Sequence, residues 1–306
     1  MVDTLSQRLK IAIVGDIHEQ WEPADHSALL ALGVDLVLFV GDFGNESLTV
    51  VQQIATLPLP KASVFGNHDA WYTASDWGRK KAPYDHCQED RVQAQRELLG
   101  DIEVSYRRRD FDQWGFSVVG ARPFTWGGGQ WKNKAFLQER YGIASFTESQ
   151  ALIESQALAS PHDTLIFLGH NGPTGLGADP ESICGRDWKP LGGDFGDPDF
   201  AAAIDSVRQQ GKQIPLVTFG HMHHRLRHRQ DRLRERIIID EHGTVYLNAA
   251  NVPRITGTGA NQSRNFALVE WVDNTVERAE LLWVRATGQI TEREILFEHR
   301  AKINAE

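Results

Sequence analysis

Gly220-His221-Met222-His223-His224 (GHMHH) closes the apolar run IPLVTF, residues 214–219. Three histidines in four positions, directly after a buried-strand pattern, are unusual unless something uses them. Four other apolar runs end in a similar way. LKIAIVGD (9–16) runs on into Ile17-His18, DLVLFVGD (35–42) ends in Gly41-Asp42, KASVFGNHD (61–69) ends in Gly66-Asn67-His68-Asp69, and TLIFLGHNG (164–172) carries Gly169-His170-Asn171. In an open α/β sheet, sites form outside the carboxyl ends of the strands. Five strands are therefore expected to deliver their polar tips to one edge. The glycine before each tip is expected to let the backbone turn sharply and approach the site closely. Residues two apart on an extended chain share a face. His221 and His223 can then reach one site, as can Asp16 and His18, while His224 turns away with Met222.

Helical stretches separate these runs: 26–34, 47–57, 85–99, 145–160 and 199–211. The fourth opens on a capping box, Ser145 with Glu148 three residues later. This βαβαβ rhythm predicts largely parallel strands covered on both faces. WGFSVVGARPF (114–124) reads as a further strand. From about Arg225 the chain reads as hairpins, RIIIDEHGTVYLNA and NFALVEWVDNTVERAELLWV, turning at Glu241-His242-Gly243 and Asp273-Asn274.

The chain has 306 residues, 41% of them hydrophobic, enough to bury a full core. A single domain over 1–306 is expected, with 71–131 and 173–198 as insertions that set specificity. No apolar stretch nears the ~20 residues needed to span a bilayer, and MVDTLSQRLK lacks the basic-then-apolar layout of a signal peptide. Cys87 and Cys184 do not make a disulfide framework, so a reducing, cytoplasmic location is expected. With 32 basic against 41 acidic residues, net −9, the chain is a poor prospect as a non-specific nucleic-acid binder.

The tips mix oxygen and nitrogen donors: Asp16, His18, Asp42, Asn67, His170, His221 and His223. That set suits Mn²⁺, Fe or Zn²⁺ and not Ca²⁺, which prefers oxygen alone. Seven donors exceed the four that one tetrahedral zinc takes. Two ions sharing one carboxylate account for the number, and such pairs, about 3.5–4 Å apart, clamp the attacking and leaving oxygens of an in-line displacement.

The ordered pattern Asp-x-His, Gly-Asp, Gly-Asn-His-Asp, Gly-His, Gly-His-x-His, spread over residues 15–223, resembles the calcineurin-like metallophosphoesterase superfamily. The resemblance implies an α/β fold: a four-layer αββα sandwich of two mixed β-sheets flanked by helices. The dimetal site would lie at the strand C-terminal ends, and the late hairpins would supply much of the second sheet. It further implies that Asp16, His18 and His223 hold a first divalent metal ion (Mn²⁺, Fe²⁺/Fe³⁺ or Zn²⁺). Asn67, His170 and His221 would hold a second, with Asp42 bridging. A hydroxide held between the ions would attack a soluble, anionic phosphate ester. His68 would protonate the leaving oxygen, with Asp69 orienting its imidazole.

Protein Ser/Thr phosphatases of this superfamily continue the second block with Asp-Arg-Gly and end the third in Gly-Asn-His-Glu. This chain has GDFGNES (41–47) and GNHD (66–69), which favours the phosphodiesterase-like branch and the small-molecule phosphatases. The blocks match those of class III cyclic-nucleotide phosphodiesterases. A cyclic nucleotide or other phosphodiester is therefore the favoured substrate, ahead of a phosphomonoester or a nucleotide pyrophosphate. A nuclease of this fold would need a basic groove, and a non-catalytic scaffold would have lost ligands, whereas this chain keeps all seven and His68.

Bland readings compete for individual residues. Asp16 or Asp42 alone could be a helix N-cap, and His68 a satisfied core histidine; five aligned blocks outweigh both. His26, His86, His162, His228, His242 and His299 fall outside the blocks and are expected on the surface, and Asp85-His86-Cys87 is expected to bind no metal. Glu19 is expected to face solvent. RLRHRQDRLRER (225–236) holds six arginines; a solvated hairpin edge is preferred to a steering patch for an anion. In FTWGGGQW (124–131), core packing of the tryptophans is preferred to a substrate flap. YLNAANVPR (246–254) offers Asn248, Asn251 and Arg254 as substrate contacts.

Overall fold

The computed structural model describes residues 6–299. Residues 300–306 and 1–5, which begin the N-terminal stretch read above for targeting, lie outside the described residues. The strands alternate strictly between two hydrophobic layers. Ile11 and Ile13 of the first strand, Leu36 and Leu38 of the second, and Ile166 and Leu168 of the sixth face one layer. Ala12, Val14, Val37, Phe39, Leu165 and Phe167 face away, against helices. A period of two on strands buried on both faces makes this unavoidable. The product is four layers, helix–sheet–sheet–helix, with the first apolar set filling the space between the sheets.

In chain order the elements are β1 (Arg8–Val14), α1 (Pro23–Ala31), β2 (Leu36–Phe39), α2 (Leu48–Ala55), β3 (Lys61–Ser63), α3 (Asp76–Arg79) and α4 (Arg91–Leu99). Next come β4 (Arg108–Phe111), β5 (Phe116–Gly120), α5 (Lys134–Tyr141), α6 (Phe146–Leu158), β6 (Thr164–Leu168), α7 (Pro198–Gln209) and β7 (Gln213–Phe219). The last are β8 (Ile237–Ile239), β9 (Val245–Asn248), β10 (Ile255–Thr256), β11 (Ser263–Val272), β12 (Thr275–Val284) and β13 (Ile290–Glu298). One sheet runs β13-β12-β11-β1-β2-β3 with β10 beside β11, and the other runs β4-β5-β6-β7-β9-β8. β1, β2 and β3 are parallel to one another, as are β5, β6, β7 and β9. The late strands pair antiparallel, so both sheets are mixed.

Several expectations are corrected. The β8–β9 hairpin joins the second sheet, but the β11–β12 hairpin docks on β1 and extends the first. The helix expected from residue 85 starts at Arg91, where the Asp90 carboxylate accepts from the Gln93 amide at 2.9 Å. Ser145 does cap α6, yet the Glu148 carboxylate reaches the amide of Ala144 and not that of Ser145. The Asp273-Asn274 turn has two positive φ angles, 47° and 65°, the primed geometry that matches hairpin twist.

Candidate metal centre

Each expected tip follows the end of a parallel strand. Asp16 and His18 follow β1, Asp42 follows β2, Asn67 opens a 3-10 turn after β3, His170 follows β6, and His221 and His223 follow β7. Backbone hydrogen bonds tie the tips together: His18 donates to the carbonyl of Asp42 at 2.8 Å, and Gly220 to that of His170 at 2.7 Å. The two sheets meet here. His223 Nε2 lies 3.0 Å from Asp16 Oδ2, and His170 Nε2 lies 3.4 Å from Asp42 Oδ1. His18 Nε2 is 3.3 Å from His223 Nε2 and 3.8 Å from Asp42 Oδ2, while Asn67 Oδ1 is 3.0 Å from His170 Nε2.

The glycines work differently from the expectation. Of the five before the tips, only Gly41 has a positive φ. The left-handed backbone sits on the polar residues themselves: Asp16 (φ 43°), His18 (44°), Asp42 (55°) and His221 (65°). Such conformations cost about 1–3 kcal/mol each and persist only where surrounding structure over-determines them. Glycine is needed next to them for space. A Cβ on Gly66 would stand 2.2 Å from Asp42 Oδ1, and one on Gly220 2.3 Å from Asp16 Oδ1. His221–His224 also lie beyond the end of β7. The turn at His221, and not strand alternation, therefore aims this stretch. His224 does turn away: it is buried, with Nε2 2.9 Å from the carbonyl oxygen of Asn248.

The donor set fits divalent cations on three observations. Asp16 and Asp42 are buried, and among the described residues no lysine or arginine reaches either; their charged-type neighbours are His18, His170 and His223. Asp16 Oδ2 is a buried acceptor that no side chain outside the tips approaches among the described residues; its near neighbour is His223 Nε2, itself a candidate ligand atom. His170 Nδ1 lies 2.8 Å from the carbonyl oxygen of Val40. A carbonyl only accepts, so Nδ1 carries the proton and Nε2 turns a lone pair towards Asp42 and Asn67. Side chains of Asp16, His18 and His223, and of Asp42, His170 and His221, each place donor atoms within 4.8 Å of one another.

The charge states of Asp16, Asp42 and His221 agree. Burial pushes the Asp16 carboxyl up, but His223, with His170 and His18 behind it, outweighs that and holds the group well below the carboxylate range. Asp42 is lowered in the same way, with His170 the main opponent of burial. Burial, then His170, lowers His221 to about 3, which keeps it neutral as a ligand must be. For His223, burial is the largest single effect and lowers the pKa, but the contact with Asp16 and the charges of Asp16 and Asp42 together outweigh it and raise the pKa, so a cation at this nitrogen would displace a proton.

His68 lies at the centre, its ring edge-on to His18 with centroids 4.7 Å apart, but its orienting partner differs from the one expected. Its Nδ1 lies 2.6 Å from Asn45 Oδ1, and its ring stacks on Trp71 with centroids 4.4 Å apart. Asp69 does not touch that ring. Its buried carboxylate accepts from three backbone amides, Asp42 (2.9 Å), Phe43 (2.8 Å) and Gly66 (2.7 Å). It thus staples the segment after β2 to the segment after β3. Burial and then the Asp42 carboxylate raise its pKa, and the three amides pull it down. Asn45, inside GDFGNES, had no signal in the sequence beyond its place in a ligand-bearing loop.

Two of the proposed substrate contacts are structural. Asn248 is buried, donating to the carbonyl of Met222 and accepting from the amide of Ala250. Arg254 is buried against Asp25 at 2.7 Å, with Trp21 and Phe266 on its guanidinium. Asn251 is half-buried and lines a different pocket, with His224 and Glu292. Glu19 is exposed and bonded to Ser47. His26, His162 and His228 are half-buried with polar partners instead of free on the surface.

The calcineurin-like phosphoesterase profile matches residues 9–225. The chain belongs to the calcineurin-like phosphoesterase family. Members are metal-dependent phosphoester hydrolases with a dimetal centre, and the matched span holds all seven tips, His68 and Asn45. A search of curated proteins finds no significant match. Among solved structures, protein TT1561 of Thermus thermophilus is similar at 11% identity with a TM-score of 0.50, over 95% of this chain and 100% of that one. Purple acid phosphatase PPD1 from yellow lupin (Lupinus luteus) seeds is similar at 15% identity with a TM-score of 0.47, over 94% of this chain and 53% of that one. At these identities the likeness concerns the fold. Among the described residues no helix is long and apolar enough to cross a membrane.

Proposed function

We propose that this calcineurin-like phosphoesterase hydrolyses a phosphodiester of a small, soluble substrate in the cytoplasm. The observation that carries the proposal is the convergence of seven strand-tip donors, two of them buried carboxylates that no lysine or arginine among the described residues neutralises. Asp16, His18 and His223 would hold one divalent ion, Asn67, His170 and His221 the other, and Asp42 would serve both. When bound, such ions neutralise phosphate charge and supply activated water near neutral pH.

His68 would assist the leaving group. Asn45 Oδ1 can only accept, so it fixes the proton of His68 on Nδ1 and leaves Nε2 as the nitrogen that exchanges a proton with substrate. Nε2 would first take up a proton from solvent, which burial of the ring disfavours by lowering its pKa, and the resulting imidazolium would pass that proton to the departing oxygen as the P–O bond breaks. Trp71 holds the ring plane. Support for a diester comes from two pockets beside the centre, one lined by Asn67 and Trp71 and the other by His221 and His223. An ester group on each side of the phosphorus then has a place.

The test is metal analysis of the purified protein followed by a substrate panel. Mn²⁺-dependent cleavage of bis(p-nitrophenyl) phosphate and of a cyclic nucleotide is expected. Protein that is inert towards mono- and diesters alike with Mn²⁺, Fe²⁺ and Zn²⁺ supplied would end the proposal.

A further inference from the structure

Two stretches that the sequence assigns to scaffold, the arginine run and the glycine–tryptophan loop, meet above the metal centre. A pocket of about 290 Å³ has His221 and His223 in its lining together with Trp126, Lys132, Trp188 and Arg227. Arg225 stands at the same mouth. Trp126 and Lys132 also line the neighbouring pocket that holds Asn67 and Trp71, so they stand between the two.

The arginines of the run divide into two groups. Arg229 and Arg232 pair with Glu181 at 2.9 and 3.0 Å, Arg236 pairs with Glu294 at 2.6 Å, and buried Arg234 lies 3.3 Å from Asp187. Arg225 and Arg227 are exposed, and among the described residues neither has a carboxylate within ion-pair distance; the same is true of Lys132. Asp187, the carboxylate in the pocket lining, is already engaged by Arg234 and by the backbone amide of Arg227. Three uncompensated cations therefore ring one small opening in a chain of net charge −9.

The tryptophans hold these cations in place. Arg227 lies over Trp188 with its Cζ 5.4 Å from the ring centroid, and Lys132 Nζ lies 5.8 Å from that of Trp126. Trp188 is in turn braced edge-on by Phe195, centroids 4.8 Å apart. Trp131, by contrast, packs on Phe146 and beneath Arg122 as a core residue. Indole walls with preset cations suit a planar ring joined to an anion. The volume lies at the small end of the ligand-pocket range, which suits one nucleoside-sized group and not a polymer.

We propose that this pocket is the specificity subsite of the phosphoesterase centre. It would take a nucleobase together with a phosphate additional to the one being cleaved. Resting on the hydrolase proposal above, this makes the substrate class a nucleotide ester with at least two phosphate groups: water adds to the phosphorus nearer the metal centre, the P–O–P bridge opens, and the second phosphate leaves as a monophosphate ester that takes up a proton according to pH. A singly charged cyclic mononucleotide is then the poorer substrate.

The first arm of the test needs no turnover. ADP, AMP and adenosine are titrated into the chelator-treated, full-length protein, with tryptophan fluorescence as the readout. ADP is expected to bind more tightly than AMP, and AMP more tightly than adenosine, with ADP binding weakened by salt. Arg225→Ala/Arg227→Ala should weaken ADP by about tenfold more than adenosine, since 1.4 kcal/mol of charge-assisted bonding is a factor of ten. Trp188→Ala should weaken adenosine and ADP by a similar factor. Arg236→Ala, on the same run but paired with Glu294, should bind ADP as the wild type does. Equal affinity for ADP and adenosine, no binding of either, or a double variant that binds ADP as the wild type does would overturn the proposal.

The second arm compares kcat/KM for ADP-ribose with that for bis(p-nitrophenyl) phosphate in the metal-loaded enzyme. The double variant should lose about tenfold more on the former; equal losses on both would count against the subsite. Absence of any hydrolysis alongside charge-dependent ADP binding would remove the hydrolase proposal and leave the subsite standing.

Discussion

Asp69→Asn separates two roles for the residue beside His68. In the structure its two oxygens accept from three buried amides, those of Asp42, Phe43 and Gly66. The amide oxygen of asparagine can keep the two amides that share Oδ2, while its NH₂ meets the Phe43 N–H donor to donor. One buried amide then goes unsatisfied, at about 1–3 kcal/mol. The other two exchange a charged acceptor for a neutral one, at roughly 1 kcal/mol apiece. The expected loss is about 3–5 kcal/mol, a large share of the roughly 5–15 kcal/mol that holds most domains together. The assay is guanidinium unfolding with chelator present, so that metal binding does not enter the comparison. Metal content and activity per folded molecule are measured separately. Asp42 rides on the segment that Asp69 pins, so metal affinity should fall with stability. Stability within about 0.5 kcal/mol of wild type, combined with a rate loss equal to that of His68→Ala, would refute the staple. It would return Asp69 to the role of orienting His68.

Asn45→Ala should lower the rate by about tenfold, the low end for residues that orient a functional histidine, with stability changed by less than about 1 kcal/mol; unfolding midpoints and kcat measured on one preparation check both. His221→Ala and His223→Ala should each lose metal by elemental analysis. His224→Ala should keep its metal and lose about 2 kcal/mol, because the Asn248 carbonyl loses its partner and a cavity opens. Gly66→Ala should lose metal and stability together, since its Cβ would stand 2.2 Å from Asp42 Oδ1; a fully metallated variant would contradict this. Burial lowers the folded-state pKa of His224 to about 3, while the unfolded chain titrates near 6.5. Its contribution is therefore complete above pH 6.5 and is lost as pH falls towards 3, by about 1.4 kcal/mol per unit at most. Metal-free wild type should accordingly lose more stability between pH 6.5 and 4.5 than His224→Ala does.

The strand tips were legible because each joins an apolar run to a glycine and a ligand-type residue, a pattern that survives any error in element boundaries. The edge strands β4 and β13 were not, although β3 and β8, also at edges, were read from their apolar runs. RRDF of β4 is short and mostly charged, and ITEREILFE of β13 is charged and largely exposed, so nothing distinguishes them from loop. The β11–β12 hairpin was visible as a local pairing. Its attachment to β1 was not, because hairpin signals fix which strands pair and leave open which sheet edge they extend. The roles of Asn45 and Asp69 depend on side-chain direction within irregular turns, where neither the period of two nor that of 3.6 applies. The split within the arginine run was hidden for a related reason: Glu181, Asp187 and Glu294, which neutralise part of it, come from distant segments.

The candidate ligands are divided between the sheets: Asp16, His18, Asp42 and Asn67 come from the first, and His170, His221 and His223 from the second. Neither half of the sandwich alone holds a complete set for either ion, so bound cations would act as a clasp across the inter-sheet layer. Their binding free energy then opposes sheet separation directly. Release of metal and parting of the halves become one event, visible as slowed amide exchange in β2 and β6 of the loaded protein against the chelated one.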